Sequence, residues 1–302
     1  MSVLFFLLLF SFLASFALTP AVARWALGRG FSGRDLHKEH APEVPEQGGV
    51  GFMAVFLAAA LVYAVLEKPE PWYFLAVAAG VALAAIGYAD RLRRMGAREK
   101  LGYPLLLSLP VAAYLWHSGA PPALVLLSPL LFMAACNFTN MLAGFNGLEA
   151  GVNGIAATAL GIAAMLKGSQ DAGALLLLLG AAMLGFLPHN FYPARVFPGD
   201  VGTLPAGAVM FVAAAFSGML AELALVLLPH TVDALLKFAS AGIMTRESQK
   251  PTLLVAGKLY PPAGGNLSLP RLLLLMKPMH ERSLVLCIYA LELMAAALAV
   301  AI

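Results

Sequence analysis

Three features of this 302-residue chain predict an all-α, polytopic integral membrane protein. Apolar residues make up 61% of it and charged residues only 12%. Its apolar stretches recur at about the 20 residues that a helix needs to cross a hydrocarbon core. Its Lys and Arg residues gather on alternate connections, the asymmetry that short cytoplasmic loops display.

Ten spans are predicted, at residues 2–27, 49–66, 71–89, 101–118, 122–142, 147–167, 171–188, 201–216, 218–237 and 280–302. The first looks like a secretory leader, because Ala21-Val22-Ala23 follows an apolar run. It is too long for one and lacks a basic segment ahead of the run, so it is read as a true span. The second follows a polar loop over 28–48, and the third closes on Gly87-Tyr88-Ala89-Asp90 before a basic loop over 90–100. The fourth and fifth carry no Asp, Glu, Lys or Arg, and the fifth meets the sixth through an asparagine-rich connection. The seventh ends at His189-Asn190, and the eighth starts behind a Pro198-Gly199-Asp200 turn across the loop 189–200. The ninth is followed by the longest loop, 238–279, and the last is entered through His280-Glu281-Arg282.

This count puts the connections at 28–48, 90–100, 143–146, 189–200 and 238–279 on one face. All but Lys68 and Lys167 of the 19 Lys and Arg residues lie at that face, which assigns it to the cytosol and both termini to the non-cytosolic side. The whole of 1–302 reads as one domain. Cys136 and Cys287 both occupy apolar positions and imply no disulfide framework.

Between Cys136 and Gly154 the chain places four of its six asparagines. A buried carboxamide without partners costs about 1–3 kcal/mol, so their clustering marks a region of chemistry. Asn137 and Asn140, three apart, share one face of a helix. They either line a site or hydrogen-bond neighbouring spans together. Further polar clusters sit on the same basic side: Gly33 to Lys38 with Pro42 to Gly49, Asp90 to Lys100, His189 to Thr203, and Pro278 to Arg282. A cationic cytosolic face suits an anionic ligand or lipid head group, and no nucleic-acid partner is expected. Asp200 before a span is either a helix N-cap or part of a phosphate-binding turn, where glycine admits close backbone approach and the helix N-terminus favours an anion.

Three stretches, Asn137-Phe-Thr-Asn140-Met-Leu-Ala-Gly144-Phe-Asn146-Gly147-Leu-Glu149-Ala-Gly151, Tyr192-Pro-Ala-Arg195-Val-Phe197-Pro-Gly199-Asp200 and Pro278-Met-His280-Glu281-Arg282, resemble the polyprenyl-phosphate N-acetylhexosamine-1-phosphate transferases. The likeness runs from Asp35 to Arg282 and is strongest to the eukaryotic and archaeal branch that makes dolichyl-diphosphate-GlcNAc. It implies transfer of GlcNAc-1-phosphate from UDP-GlcNAc to dolichyl or another polyprenyl phosphate with release of UMP, and it allows a homodimer. It also implies Mg²⁺, with Mn²⁺ as an alternative, held by Asp200 and Asn140. By the same resemblance Asp90, Lys100 and Asp200 form the catalytic group, with Lys100 beside the lipid phosphate. Asp35, Leu36 and Glu46 fall near the nucleotide sugar. Asn137 lies in the same pocket, and Asn146, Gly144 and Phe197 hold uridine. Arg246 and Lys250 are placed at the diphosphate. Each keeps a plainer alternative: Asp35 as a solvated acid, Phe197 as core, Gly144 as a packing glycine, and His280 to Arg282 as a structural knot.

Two departures stand out. The family shows two adjacent aspartates where this chain has Asp90-Arg91, and the histidine-rich run of bacterial relatives is absent from 238–279. A secondary transporter would show related halves and polar residues near the bilayer midplane, and neither is seen. A CDP-alcohol phosphotransferase would need several spaced aspartates on one helix, whereas the chain holds five in all. A non-catalytic scaffold remains the alternative should Arg91 abolish activity. Compact loops favour an archaeal cell membrane over the endoplasmic reticulum.

Overall fold

The computed structural model describes residues 2–242 and 250–302. They form a mostly helical protein. In chain order the elements are α1 (Ser2–Gly28), β1 (Ser32–Arg34), β2 (Glu43–Pro45), α2 (Gly49–Glu67), α3 (Pro71–Leu92), α4 (Ala97–Leu107), α5 (Leu109–His117), α6 (Pro122–Met141) and α7 (Leu148–Leu166). There follow α8 (Gln170–Asn190), α9 (Asp200–Phe216), α10 (Leu220–Val226), α11 (Leu228–Ala241), β3 (Leu253–Val255), β4 (Lys258–Tyr260), α12 (Leu269–Met276) and α13 (Glu281–Ala301).

Among the described residues seven helices are long and apolar enough to cross a membrane, or eight if α10 and α11 make one broken span. The protein is therefore an integral membrane protein. The predicted ninth span, 218–237, is not one straight helix but α10 and α11, which meet at 65°. Pro229 lies in the first turn of α11. Having no N–H, and clashing with the carbonyl four residues back, it stops the α10 ladder from running through. The predicted fourth stretch is likewise split, into α4 and α5 at Ser108 with Pro110 behind it.

Helix α9 is the pillar of the bundle. Val201 to Ala215 are all buried, and at 17 residues the helix is about 25 Å long by its rise, the lower end of what a crossing needs. It packs chiefly on α3 and α6. Glycine permits both approaches: a Cβ on Gly207 would collide with the Ala135 carbonyl of α6, and one on Gly87 of α3 with the Asp200 backbone. Small residues at such crossings let helices gain dispersion contacts that lipid cannot replace. Helix α1, by contrast, turns Phe5, Phe6, Leu9 and Phe10 outward, as a lipid-facing helix should.

The chain is not purely α. β1 and β2 pair antiparallel, Gly33 opposite Val44, and β3 and β4 pair with Leu254 opposite Leu259. The second hairpin turns through Ala256 and Gly257, both at positive φ, the backbone that two-residue hairpin turns require. A second, smaller core sits at this end of the bundle, where Leu142, Phe145 and Leu148 meet Leu259, Leu274 and Leu284. It fixes the asparagine-rich connection against the last loop. Beneath it, Lys237 of α11 donates to the Met141 carbonyl and pairs with Asp233 at 2.6 Å, while Asp233 accepts the Leu269 N–H at 2.9 Å. The bent span thus holds the end of α6 and the start of α12 together. Of the two cysteines only Cys136 is buried; Cys287 faces outward on α13.

Candidate active site

Asp90 at the end of α3, Lys100 in the first turn of α4 and Asp200 at the start of α9 converge. The Lys100 ammonium donates to Asp200 Oδ2 at 2.7 Å and to Asp90 Oδ2 at 2.9 Å. Asp90 Oδ1 accepts the Met95 N–H at 2.8 Å, so the basic loop fixes the carboxylate that fixes the lysine. An ammonium has three N–H donors, and among the described residues two are engaged by side chains. All three side chains are partly exposed, at 20–30%, as a site that must admit a ligand requires.

Asp200 is delivered by Gly199, whose φ of +70° lies where L side chains are strained. The turn is pinned on its other side, because Gly48 and Gly49 donate to the Phe197 and Pro198 carbonyls at 2.9 and 2.8 Å. One helical turn beyond Asp200, the Thr203 hydroxyl donates to Asn140 Oδ1 at 2.5 Å. Asn140 therefore stands beside the start of α9 with its carboxamide oxygen already half engaged. Asn137 donates back to the Met133 carbonyl at 2.9 Å, a bond within its own helix.

A second cluster lies in the same polar region. Asp35, 4% exposed, pairs with Lys38 at 3.3 Å and accepts the His37 N–H at 3.3 Å. Lys38 also pairs with Glu281, whose other oxygen accepts the Asn146 N–H at 2.7 Å. Its ammonium sits 4.0 Å above the Tyr192 ring. The Asn146 carboxamide oxygen in turn accepts the Ala194 N–H at 2.8 Å. A cavity of about 230 Å³ opens among His37, Lys38, Tyr192, His280 and Glu281.

His37 stacks on Phe145 at 4.7 Å, and its Nε2 meets the Thr252 hydroxyl at 2.6 Å. Burial pulls its pKa down to about 4, against the pull of Asp35 upward, with Lys38 adding to the fall and a bond to the Gly144 carbonyl opposing it. The ring is neutral at physiological pH. One nitrogen then donates to Gly144 and the other accepts from Thr252. Asp35, His37 and Glu281 offer ligand atoms within 4.8 Å of one another, a candidate acidic metal site. Lys38 pairs with both carboxylates and offsets one of their two charges.

The remaining expected residues fall as follows. Glu46 is buried and paired with Arg91 at 3.1 Å, which makes it part of the framework of the first hairpin. Leu36 is half exposed at the hairpin's end. Gly144 has φ of +100° and open space where a side chain would go. Phe197 is half-buried, and its N–H donates to the Pro45 carbonyl at 2.8 Å. Lys250 is exposed and donates to the Ala263 carbonyl at 3.3 Å. Arg246 lies outside the described residues. Lys38 and Thr203 are the side chains to which sequence reasoning gave no role, whereas Glu281 was named with His280 and Arg282 as a structural knot. Thr203 was signalled by its place one helical turn after Asp200, and Lys38 by its spacing of three from Asp35.

This helical membrane protein holds one lysine between two carboxylates at a helix N-terminus and lines a polar cavity with a cation and an aromatic ring, groups suited to anionic ligands. The comparisons are specific. Residues 72–218 match the model of glycosyl transferase family 4. A protein from Methanocaldococcus jannaschii, provisionally named a glycosyltransferase, is 38% identical over 256 residues, 84% of this chain and 81% of the relative. One from Sulfolobus acidocaldarius, provisionally named UDP-N-acetylglucosamine–dolichyl-phosphate N-acetylglucosaminephosphotransferase, is 27% identical across 76% of this chain and 77% of its own. The phospho-N-acetylmuramoyl-pentapeptide-transferase of Moorella thermoacetica is 34% identical over 55% of this chain and 59% of its own. The chain belongs to glycosyl transferase family 4, and its relatives support a phosphotransferase activity.

Proposed function

We propose that this protein transfers N-acetylglucosamine-1-phosphate from UDP-N-acetylglucosamine to dolichyl or another polyprenyl phosphate, giving lipid-linked diphospho-N-acetylglucosamine and UMP. The observation that carries the reading is the convergence of Asp90, Lys100 and Asp200 at the mouth of α9. The name of the Sulfolobus relative supports the choice of sugar and lipid.

Both reactants are anions, and the chain's own groups meet that problem. The third N–H of Lys100 receives the lipid phosphate. Asp90 and Asp200 hold the ammonium in place and keep it charged. A lipid phosphate needs little deprotonation before it attacks, so no strong base is required of Asp90. Its oxygen attacks the sugar-bearing phosphorus in line, a new P–O bond forms, and the bond to the UMP oxygen breaks. The anomeric configuration is untouched. Uridine lies toward Asn146 and Gly144, with Asp35 and Lys38 nearby.

Asp200 and Asn140 are hard oxygen donors, Asn140 being bonded to Thr203 one turn along α9 from Asp200, and such donors suit Mg²⁺ or Mn²⁺, which keeps several waters and takes one or two protein oxygens. A bound ion there would neutralise diphosphate charge. Asn140 retains a lone pair beyond the one used by Thr203. All ten apolar stretches cross the membrane in this reading. The whole chain acts as one transferase unit in an archaeal cell membrane, with its termini outside and the site in the cytosol.

The test is formation of labelled lipid from radiolabelled UDP-N-acetylglucosamine and dolichyl phosphate by the purified protein. Labelled lipid with stoichiometric UMP is expected, abolished by EDTA and reduced about 10²–10³-fold by Asp200→Asn, the scale of losing one preorganised electrostatic group. Product only with another UDP-N-acetylhexosamine or with undecaprenyl phosphate would move the substrate and keep the chemistry. Undiminished turnover by Asp200→Asn would refute the assignment of the site.

A further inference from the structure

Arg91 follows Asp90 directly, yet the two side chains serve different parts of the molecule. Successive residues on a helix project about 100° apart, so Asp90 reaches Lys100 while Arg91 leaves α3 toward the first hairpin. There its Nη1 pairs with Glu46 Oε2 at 3.1 Å, and its Nη2 donates to the Gly30 and Ser32 carbonyls at 3.1 and 3.2 Å. The guanidinium lies 5.4 Å from the centre of the Phe31 ring. Gly33 leaves room for the pair, since a Cβ there would collide with the Glu46 carboxylate. A planar fork with five donors can satisfy acceptors on both sides of a hairpin at once, which a lysine cannot.

What the hairpin carries gives the contact its meaning. Asp35 follows β1, its N–H bonded to the Pro42 carbonyl at 2.9 Å, and through Lys38 and Glu281 the ion-paired chain ends on the Asn146 N–H. Pro45 of β2 accepts the Phe197 N–H at 2.8 Å. The hairpin therefore touches both the Asn146 region and the segment leading into Asp200. Without Arg91, the hairpin would meet the end of α3 through the Phe31–Tyr88 ring contact, while the backbone bonds of residues 45–49 would hold it to 197–198 and not to α3.

We infer that Arg91 is a positioning residue that ties the first hairpin, and with it the UDP-sugar side of the site, to the Asp90–Lys100–Asp200 centre. The inference rests on the proposed placement of the nucleotide sugar between the hairpin and Asn146. Arg91 does not replace a missing acid in the chemistry: it is a cation whose contacts to Glu46, Gly30 and Ser32 draw it to the hairpin.

Two measurements on the full-length protein in detergent or nanodiscs test it. Hydrogen exchange needs no turnover. In Arg91→Ala the amides of 31–46 are expected to exchange about tenfold faster, the effect of losing a charge-assisted bond, while α9 stays protected. Kinetically, the same variant should raise KM for the UDP-sugar about tenfold, leaving KM for the lipid phosphate and kcat within about threefold. Arg91→Lys, which keeps the charge beside Glu46 but not the fork, should fall between and serves if the alanine variant does not fold. Unchanged exchange at the hairpin, or a loss confined to kcat or to the lipid phosphate, would overturn the inference. Faster hairpin exchange in a protein that turns over no UDP-sugar would uphold the tether and refute the proposed function instead.

Discussion

At the scale of single residues, the structure separates side chains that hold the site together from those left to meet a ligand. Asn146 does both. Its backbone N–H is bound to Glu281, and its carboxamide oxygen accepts from Ala194; under the proposed function its NH₂ group is the part that meets the nucleotide. Asn146→Ala should therefore raise KM for the UDP-sugar about tenfold, the worth of one or two hydrogen bonds, and change kcat less than about threefold. Steady-state kinetics decide it: an equal fall in kcat with KM unmoved would mean that the carboxamide serves only as a strut for 194–200. Glu46 illustrates the opposite outcome. Its position resembles that of a substrate residue in the family, yet its carboxylate is spent on Arg91. No reading of one chain could find that, because the partners are 45 positions apart in sequence and meet only once α3 and the hairpin are folded. Asn140 is intermediate, its oxygen shared with Thr203.

At the scale of elements, the site depends on how closely α3 and α9 approach. Gly87 packs against the backbone of Asp200 itself, so even one methyl must push α9 away or twist Asp90 out of line. Overpacking of this kind costs about 1–3 kcal/mol. Gly87→Ala should lower the unfolding midpoint in a thermal melt and reduce kcat at least tenfold, because a shift of about 1 Å in reacting groups suffices for losses of that order. A variant that melts early yet turns over normally would show that the Asp90–Lys100–Asp200 geometry tolerates helix displacement. Helical elements were the legible part of the sequence, since runs of apolar residues near the required length carry the signal directly. What was not legible has local causes. The bend at Pro229 was masked because the apolar run Leu223 to Leu228 and the Ala234-Leu235-Leu236 beyond it were read as one span, and β3–β4 by lying in a loop long enough to be read as irregular. Yet Leu253-Leu254-Val255 and Leu259-Tyr260 flanking Ala256-Gly257-Lys258 is an apolar run turned on a glycine, a hairpin signal in its own right.

At the scale of the whole molecule, the polar residues named from the asparagine-rich stretch, the Pro-Gly-Asp turn and the basic loop come from α3, α4, α6 and α9 and collect at one end of the bundle. Charge patterning anticipated that gathering, because a bilayer permits such groups only near its surfaces or in a cavity. The same asymmetry makes the orientation testable. Lys167, one of two basic residues assigned to the other face, pairs with Glu222 there. The 28–48 loop should lie on the side where nucleotide sugars are made. Glu39 and Gln170 are both exposed, one in each class of connection, and Cys136 is buried. Removing outward-facing Cys287 with Cys287→Ser therefore leaves a background in which an added cysteine reports its own side. A membrane-impermeant maleimide applied to intact cells should modify Gln170→Cys at once and Glu39→Cys only after permeabilisation. The reverse pattern would invert the protein, put Lys100 and Asp200 outside, and make a cytosolic nucleotide sugar the wrong donor. Labelling of both from one side would break the alternation between residues 39 and 170, and with it the count of crossings between them.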